Sequence, residues 1–99
     1  MKSGISTACY YPLQTEKSLM AVVEGGAPCT EIFFNSFSEL SPKYIGELKG
    51  ILRYGQTSVV SIHPFTSALE PMLFFGDYPR RFVDGVELYK RYFEVTAEL

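Results

Sequence analysis

Three short apolar runs, each followed by a stretch with helical spacing, constrain this chain more than any other feature. Residues 29–35 hold Ile32-Phe33-Phe34 at their centre, and residues 57–63 are uncharged and β-branched up to His63. Near-continuous hydrophobicity of this kind marks strands of a parallel sheet, and apolar strands separated by helices imply right-handed crossovers. The opening run, residues 2–8, is rich in Ile, Ser and Thr, carries no turn signal, and reads as the first strand.

The intervening stretches carry helix punctuation. Thr15 is placed to cap a helix near residues 16–24, with Leu19, Val22 and Val23 on one face and Gly25-Gly26 as the stop. Ser41-Pro42 starts a second helix, near 42–54, as a hydroxyl cap followed by proline at the first helical position. Ile45, Leu48 and Leu52 line its inner face, and Gly55 is expected to end it. Residues 64–78 read as a long loop with an unusual share of aromatics. They lead to a helix near 79–98 with Asp77 as its cap and an apolar face of Phe82, Val86, Tyr89, Phe93 and Ala97. Glu87 and Arg91 are spaced as an i,i+4 pair on its outer side.

Strand, helix, strand, helix, strand, helix fits an open doubly wound sheet or part of a (β/α)8 barrel. The chain finishes inside an amphipathic helix after three strands. A doubly wound domain has about five or more strands and a barrel has eight over about 250 residues. The expectation is therefore a single partial domain over residues 1–99. It comprises three consecutive βα units of a parallel (β/α)8 TIM barrel, truncated, with the second strand in the middle and all helices on one face.

Composition narrows the function classes. The chain is 46% hydrophobic and 20% charged with a net charge of −2, and its basic residues are scattered. No basic stripe marks a nucleic-acid footprint, so no nucleic-acid partner is expected. No apolar stretch approaches the roughly 20 residues that span a bilayer, and the first ten residues do not form a signal peptide. Cys9 and Cys29 are expected as free thiols, one near the top of the first strand and one at the bottom of the second, in a cytoplasmic protein.

Three stretches together resemble one superfamily. Gly4-Ile5-Ser6-Thr7 followed by Tyr10-Tyr11 resembles the first strand and loop of xylose-isomerase-like barrels. Thr30-Glu31-Ile32-Phe33 is similar to their second strand, and Val59-Val60-Ser61-Ile62-His63-Pro64 to their third. The likeness runs in order along the whole chain. That superfamily holds sugar phosphate isomerases and epimerases as well as endonucleases that cut DNA at abasic sites. The resemblance implies a divalent metal (Mn, Co, Mg or Zn) in a full-length parent, held mostly by carboxylates and histidines of later strands. It also implies a small sugar or sugar phosphate as substrate, with paired carboxylates moving a proton beside a polarised carbonyl. Those later ligands have no counterpart in these residues. No catalytic or metal-ligating residue is therefore assigned, no cofactor is expected on the isolated chain, and the chain alone is expected to be inactive. A fragment of the endonuclease branch and a non-enzymatic, self-associating α/β piece are the alternatives.

Four residues stand out as candidate substrate contacts. His63 is the only histidine and closes the third strand, where barrel chemistry takes place; its plain alternative is a histidine satisfied by a neighbouring loop. Glu31 interrupts an apolar strand, where a charge is costly unless hydrogen-bonded, and it faces the inner side with Phe33 and Asn35. A structural hydrogen bond is the weightier reading for Glu31. Asn35 ends the second strand and is placed to meet a sugar hydroxyl or serve a turn. Tyr10, with Tyr11, follows the first strand and either walls a pocket or packs. The unpaired strand edges and an inner face carrying Phe33 and Val59 lead to the expectation of a homo-oligomer.

Overall fold

The computed structural model describes residues 1–99. Three parallel strands, β1 (Ile5–Ser6), β2 (Cys29–Phe33) and β3 (Ser58–His63), form one sheet in the order β1-β2-β3. Between and after them run α1 (Thr15–Glu24), α2 (Pro42–Gly55), a short α3 (Glu70–Phe74) and α4 (Pro79–Glu98). The chain is thus α/β with a three-stranded parallel sheet and four helices. None of these helices is long and apolar enough to cross a membrane.

Strand β2 explains why the core lies where it does. Its residues alternate across the sheet, and Ile32, with Phe34 just past the strand end, is fully buried. They join one cluster with Leu19 of α1, Ile45, Leu48 and Leu52 of α2, and Tyr92 and Val95 of α4. All three long helices therefore cover the same side of the sheet. The other side carries Glu31 and Phe33, both half-buried.

Several local expectations are overturned. The first strand is two residues long rather than spanning 2–8. The Ser6 hydroxyl accepts the Ala8 N–H at 3.2 Å and turns the backbone into a 3₁₀ segment over Thr7–Tyr10. Gly4 runs so close to β2 that a Cβ there would sit 2.6 Å from the Cys29 carbonyl oxygen. Thr15 lies inside α1 and leaves its start uncapped by any side chain. Its buried hydroxyl instead faces the Phe33 carbonyl and the Glu39 carboxylate, both at 3.2 Å. Ser41 does cap α2, accepting the Tyr44 N–H with Pro42 behind it, and Gly55 is the last helical residue as expected, with Gln56 just past it in the left-handed conformation at φ 52°. Asp77 makes no cap, since the residue before α4 is Tyr78.

The 64–78 loop folds into a 3₁₀ turn, Ser67–Leu69, and α3. In α4 the residues that meet the core are Leu88, Tyr89, Tyr92, Val95 and Leu99, Tyr89 as expected, while Gly85 is buried against Leu73 and Phe74 of α3. Phe82, Phe93 and Ala97, expected inside, are exposed. Glu87 pairs with Lys90 rather than Arg91, and Arg91 pairs with Glu94 while also donating to the Leu40 carbonyl. A bulge in β3 opposite Thr30/Glu31 turns Val59 toward the helices, not toward the open face, and leaves Val60 exposed.

Candidate functional site

The helix-free side of the sheet is organised around one carboxylate. Glu31 stands in the middle strand, in register with Ser6 on one side and Ser61 on the other. Ser6 Oγ donates to Glu31 Oε1 at 3.1 Å and Ser61 Oγ donates to Oε2 at 2.9 Å. The bulge is what brings Ser61, rather than Val60, beside Glu31. Each carboxylate oxygen keeps a free lone pair after these bonds, so the ladder remains able to accept hydroxyls from a ligand.

One step along the sheet, Phe33 and His63 stand side by side with ring centroids 4.7 Å apart. His63 is exposed, and its Nε2 is hydrogen-bonded to Ser67 Oγ at 3.0 Å, so the loop after β3 orients the ring. No carboxylate is bonded to it, and Ser61, His63 and Glu31 form no nucleophilic triad. Nowhere does the chain bring three or more His, Cys, Asp or Glu side chains together in a group able to hold a metal ion.

The structure separates the four residues singled out from the sequence. Glu31 and His63 share the open face. Asn35 is turned away from it: its Nδ2 donates to Thr15 Oγ1 at 2.8 Å and to the Phe33 carbonyl at 3.2 Å. Its backbone N–H donates to Glu39 Oε2 at 2.7 Å, which ties the end of β2 to the start of the next turn. Tyr10 sits on the 3₁₀ turn, half-buried, where its carbonyl accepts the Leu13 N–H at 2.9 Å.

Asn35 lines a second feature, a polar cleft of about 560 Å³ between the β1–α1 and β2–α2 connections. Tyr11, Gln14, Glu16, Glu39 and Tyr44 are among its walls. Its central groups satisfy one another. Tyr44 accepts the Glu16 N–H at 3.0 Å and donates to the Glu16 carboxylate at 2.6 Å, while Glu39 holds Asn35 and Thr15. No buried side-chain polar atom is left without a partner. Ser6, Glu39 and the Tyr44–Glu16 pair went unread in the sequence. Ser41-Pro42 does place Tyr44 in the first turn of α2, but pairing it with Glu16 requires the angle between two helices.

Two tyrosines record how their acids act on them. Burial first, then the hydrogen bond to Glu16 and the nearby Glu39 charge, push the Tyr44 phenol well above its ordinary value of 10.0. Burial and the bond to Glu70 push Tyr89 up to about 12. Both therefore hold their protons more tightly folded than unfolded. The stability this confers is complete below about pH 10 and is lost as pH rises from there toward about 12 for Tyr89 and beyond for Tyr44. The melting temperature is expected to fall on raising the pH from about 10 to about 12, and the Tyr44→Phe/Tyr89→Phe double variant to show a shallower fall. Equal slopes for the two proteins in thermal melts across that range would remove these phenols from the alkaline loss.

No protein-family model, no curated protein and no solved structure matches this chain.

Proposed function

We propose that this chain forms the opening three strand–helix units of a (β/α)8-type barrel resembling the sugar phosphate isomerases and epimerases. In this reading its uncovered sheet face is a sugar-binding wall. The observation that carries the reading is the Ser6–Glu31–Ser61 ladder on a parallel sheet whose other side takes all the long helices. Parallel sheets have both faces covered in open folds, whereas in a barrel the inner face looks onto other strands and, at the mouth, onto substrate. A carboxylate held open between two hydroxyls accepts sugar hydroxyls, and the half-buried Phe33 ring offers an apolar surface to the C–H side of a sugar ring.

The resemblance also implies a divalent metal, and the donors present do not fit one. Glu31 is the only carboxylate of the three strands, His63 bonds Ser67, and no third ligand converges on them. An open catalytic zinc site alone uses three protein ligands. The role assigned to this chain is accordingly binding, with no chemical step. The proposal carries a cytoplasmic location with it, supported by the two unpaired thiols Cys9 and Cys29.

The ligand class follows from charge. The three strands contain no Lys or Arg, and the face is centred on a carboxylate, so a free sugar is expected to bind more tightly than its phosphate. Amide chemical-shift titrations with pentoses, hexoses and their phosphates are the test. Saturable shifts are expected at Ser6, Glu31, Ser61 and His63 with the free sugars, and Glu31→Gln should weaken binding by roughly tenfold, the scale of a charge-assisted hydrogen bond. Shifts that never saturate, or that Glu31→Gln leaves unchanged, would overturn the proposal.

A further inference from the structure

The cleft between the β1–α1 and β2–α2 connections has a size, a position and a charge that the sheet face does not share. It opens beyond the C-terminal ends of β1 and β2, the end at which parallel α/β sheets and barrels bind their ligands. Its volume of about 560 Å³ falls within the roughly 300–1,000 Å³ of small-molecule pockets and far exceeds what a single ion fills.

The lining is negative. Glu16 stands in the first turn of α1, Glu39 in the 3₁₀ turn Phe37–Leu40 after β2, and Glu47 one turn beyond Tyr44 on the same side of α2. Lys43 is the only basic residue among the walls. The two inner acids each spend one oxygen. Oε2 of Glu16 accepts the Tyr44 hydroxyl, and Oε2 of Glu39 accepts the Asn35 N–H and the Thr15 hydroxyl. Oε1 of both therefore remains free to accept. The ion pairs of the chain are Lys90–Glu87 and Arg91–Glu94, so no cation of the protein neutralises these acids, and Lys43 itself is unpaired.

Tyr44 registers the resulting field. After burial, its bond to Glu16 and the charge of Glu39 both hold its proton on, which shows that the two acids act on the same interior point. Both are half-buried, where salt screens a charge less than at the open surface. The three carboxylates are nevertheless spread around the cavity, and no three acids gather into a group able to hold a metal ion. The matching counter-charge is accordingly carried by an organic molecule. Tyr11, 67% exposed, adds an aromatic ring to the wall, and an ammonium group gains further attraction from such a ring.

We infer that this cleft binds a small organic cation bearing primary ammonium groups, with Glu16 and Glu39 accepting an ammonium inside, Glu47 attracting it at the rim and Tyr11 packing against its carbon chain. The cleft shares no residue with the Ser6–Glu31–Ser61 ladder, and the inference holds whether or not sugar binding is assigned there.

Calorimetric and amide chemical-shift titrations of the whole chain with putrescine, magnesium chloride and succinate test it. Putrescine should bind saturably and shift the amides of Glu16, Asn35, Glu39 and Tyr44, while magnesium and succinate should not. Glu16→Gln keeps a carbonyl to accept the Tyr44 hydroxyl and should weaken putrescine by about tenfold. Glu47→Gln and Lys43→Gln alter exposed side chains outside every hydrogen bond of the cleft, so both should keep the wild-type melting temperature. Glu47→Gln should weaken binding by about two- to fivefold. Lys43→Gln removes the one competing cation and should tighten putrescine by about two- to fivefold. Putrescine that never saturates, magnesium that saturates the same amides, or succinate that binds in its place would overturn the inference. So would a Lys43→Gln protein that binds putrescine no more tightly than the wild type.

Discussion

Replacing Phe34 by alanine is expected to leave the chain close to unfolded at room temperature. The ring is fully buried just past the end of β2, in the cluster built from Leu19, Leu40, Leu48 and Tyr92. The backbone there is anchored, since Phe34 donates its N–H to the His63 carbonyl at 3.0 Å, so the neighbours cannot collapse freely into the space vacated. Truncating a buried Phe to Ala costs about 3–5 kcal/mol, and domains of this size are stable by about 5–15 kcal/mol in all. Only 20 of the 99 residues are buried, which puts this chain at the low end of that range. At about 4–8 °C per kcal/mol, the melting temperature should drop by roughly 15–30 °C. Phe33→Ala is the matched control, one residue away on the open face and half-buried, and should cost far less. Thermal and urea melts of the two variants decide the matter; similar losses would mean that the open face, rather than the helix side, is the true core.

Gly55→Ala reverses the usual sign of such a change. Within a helix, alanine for glycine normally stabilises by about 1 kcal/mol. At Gly55, the last residue of α2, the new Cβ would overlap Val23 Cγ1 and lie 2.8 Å from Cγ2. Val23 is buried in the final turn of α1, and a β-branched residue in a helix has one favoured rotamer, so it has little freedom to yield. Overpacking of this kind costs about 1–3 kcal/mol, and the net effect should be a fall in melting temperature of about 5–10 °C. Gly50, in the same helix with nothing within 4 Å of its missing Cβ, should respond oppositely to Gly50→Ala and rise by a few degrees. Adding Val23→Ala to Gly55→Ala should cost less than the two single losses combined, because each change relieves what the other creates. A Gly55→Ala protein that melts above the wild type would show that α1 and α2 approach less closely at their C-terminal ends than the contact with Val23 requires.

The order of elements was legible from the amino acids because each signal is local. Residues 29–33 and 58–63 fall inside the expected strands, Ser41-Pro42 opens α2, and α4 runs from Pro79 as expected. Parallel order and one-sided helices then follow from crossover handedness, which short connections enforce. The first strand was overread because Ile, Ser and Thr suit a strand and a turn alike. What ended it was the Ser6 hydroxyl reaching the Ala8 N–H.

Where a residue's meaning depends on its neighbours in space, tertiary structure alone decided it. Two faces of α4, one with Tyr92 and Val95 and the other with Phe82 and Phe93, have helical spacing and comparable apolarity. The selection of Tyr92 and Val95 over Phe82 and Phe93 for the core came from the angle at which α4 meets Ile32, Phe34 and α2. Glu31 is conspicuous in its strand, but its partners are set by a register and a bulge that no local pattern encodes. Asn35 looks like a strand-end ligand contact until the fold brings Thr15 and Glu39 within reach of it. Strand and helix propensities act over a few bonds and are written along the chain. Hydrogen-bond partners and the choice between two equivalent faces are settled only when distant segments compete for the same contacts.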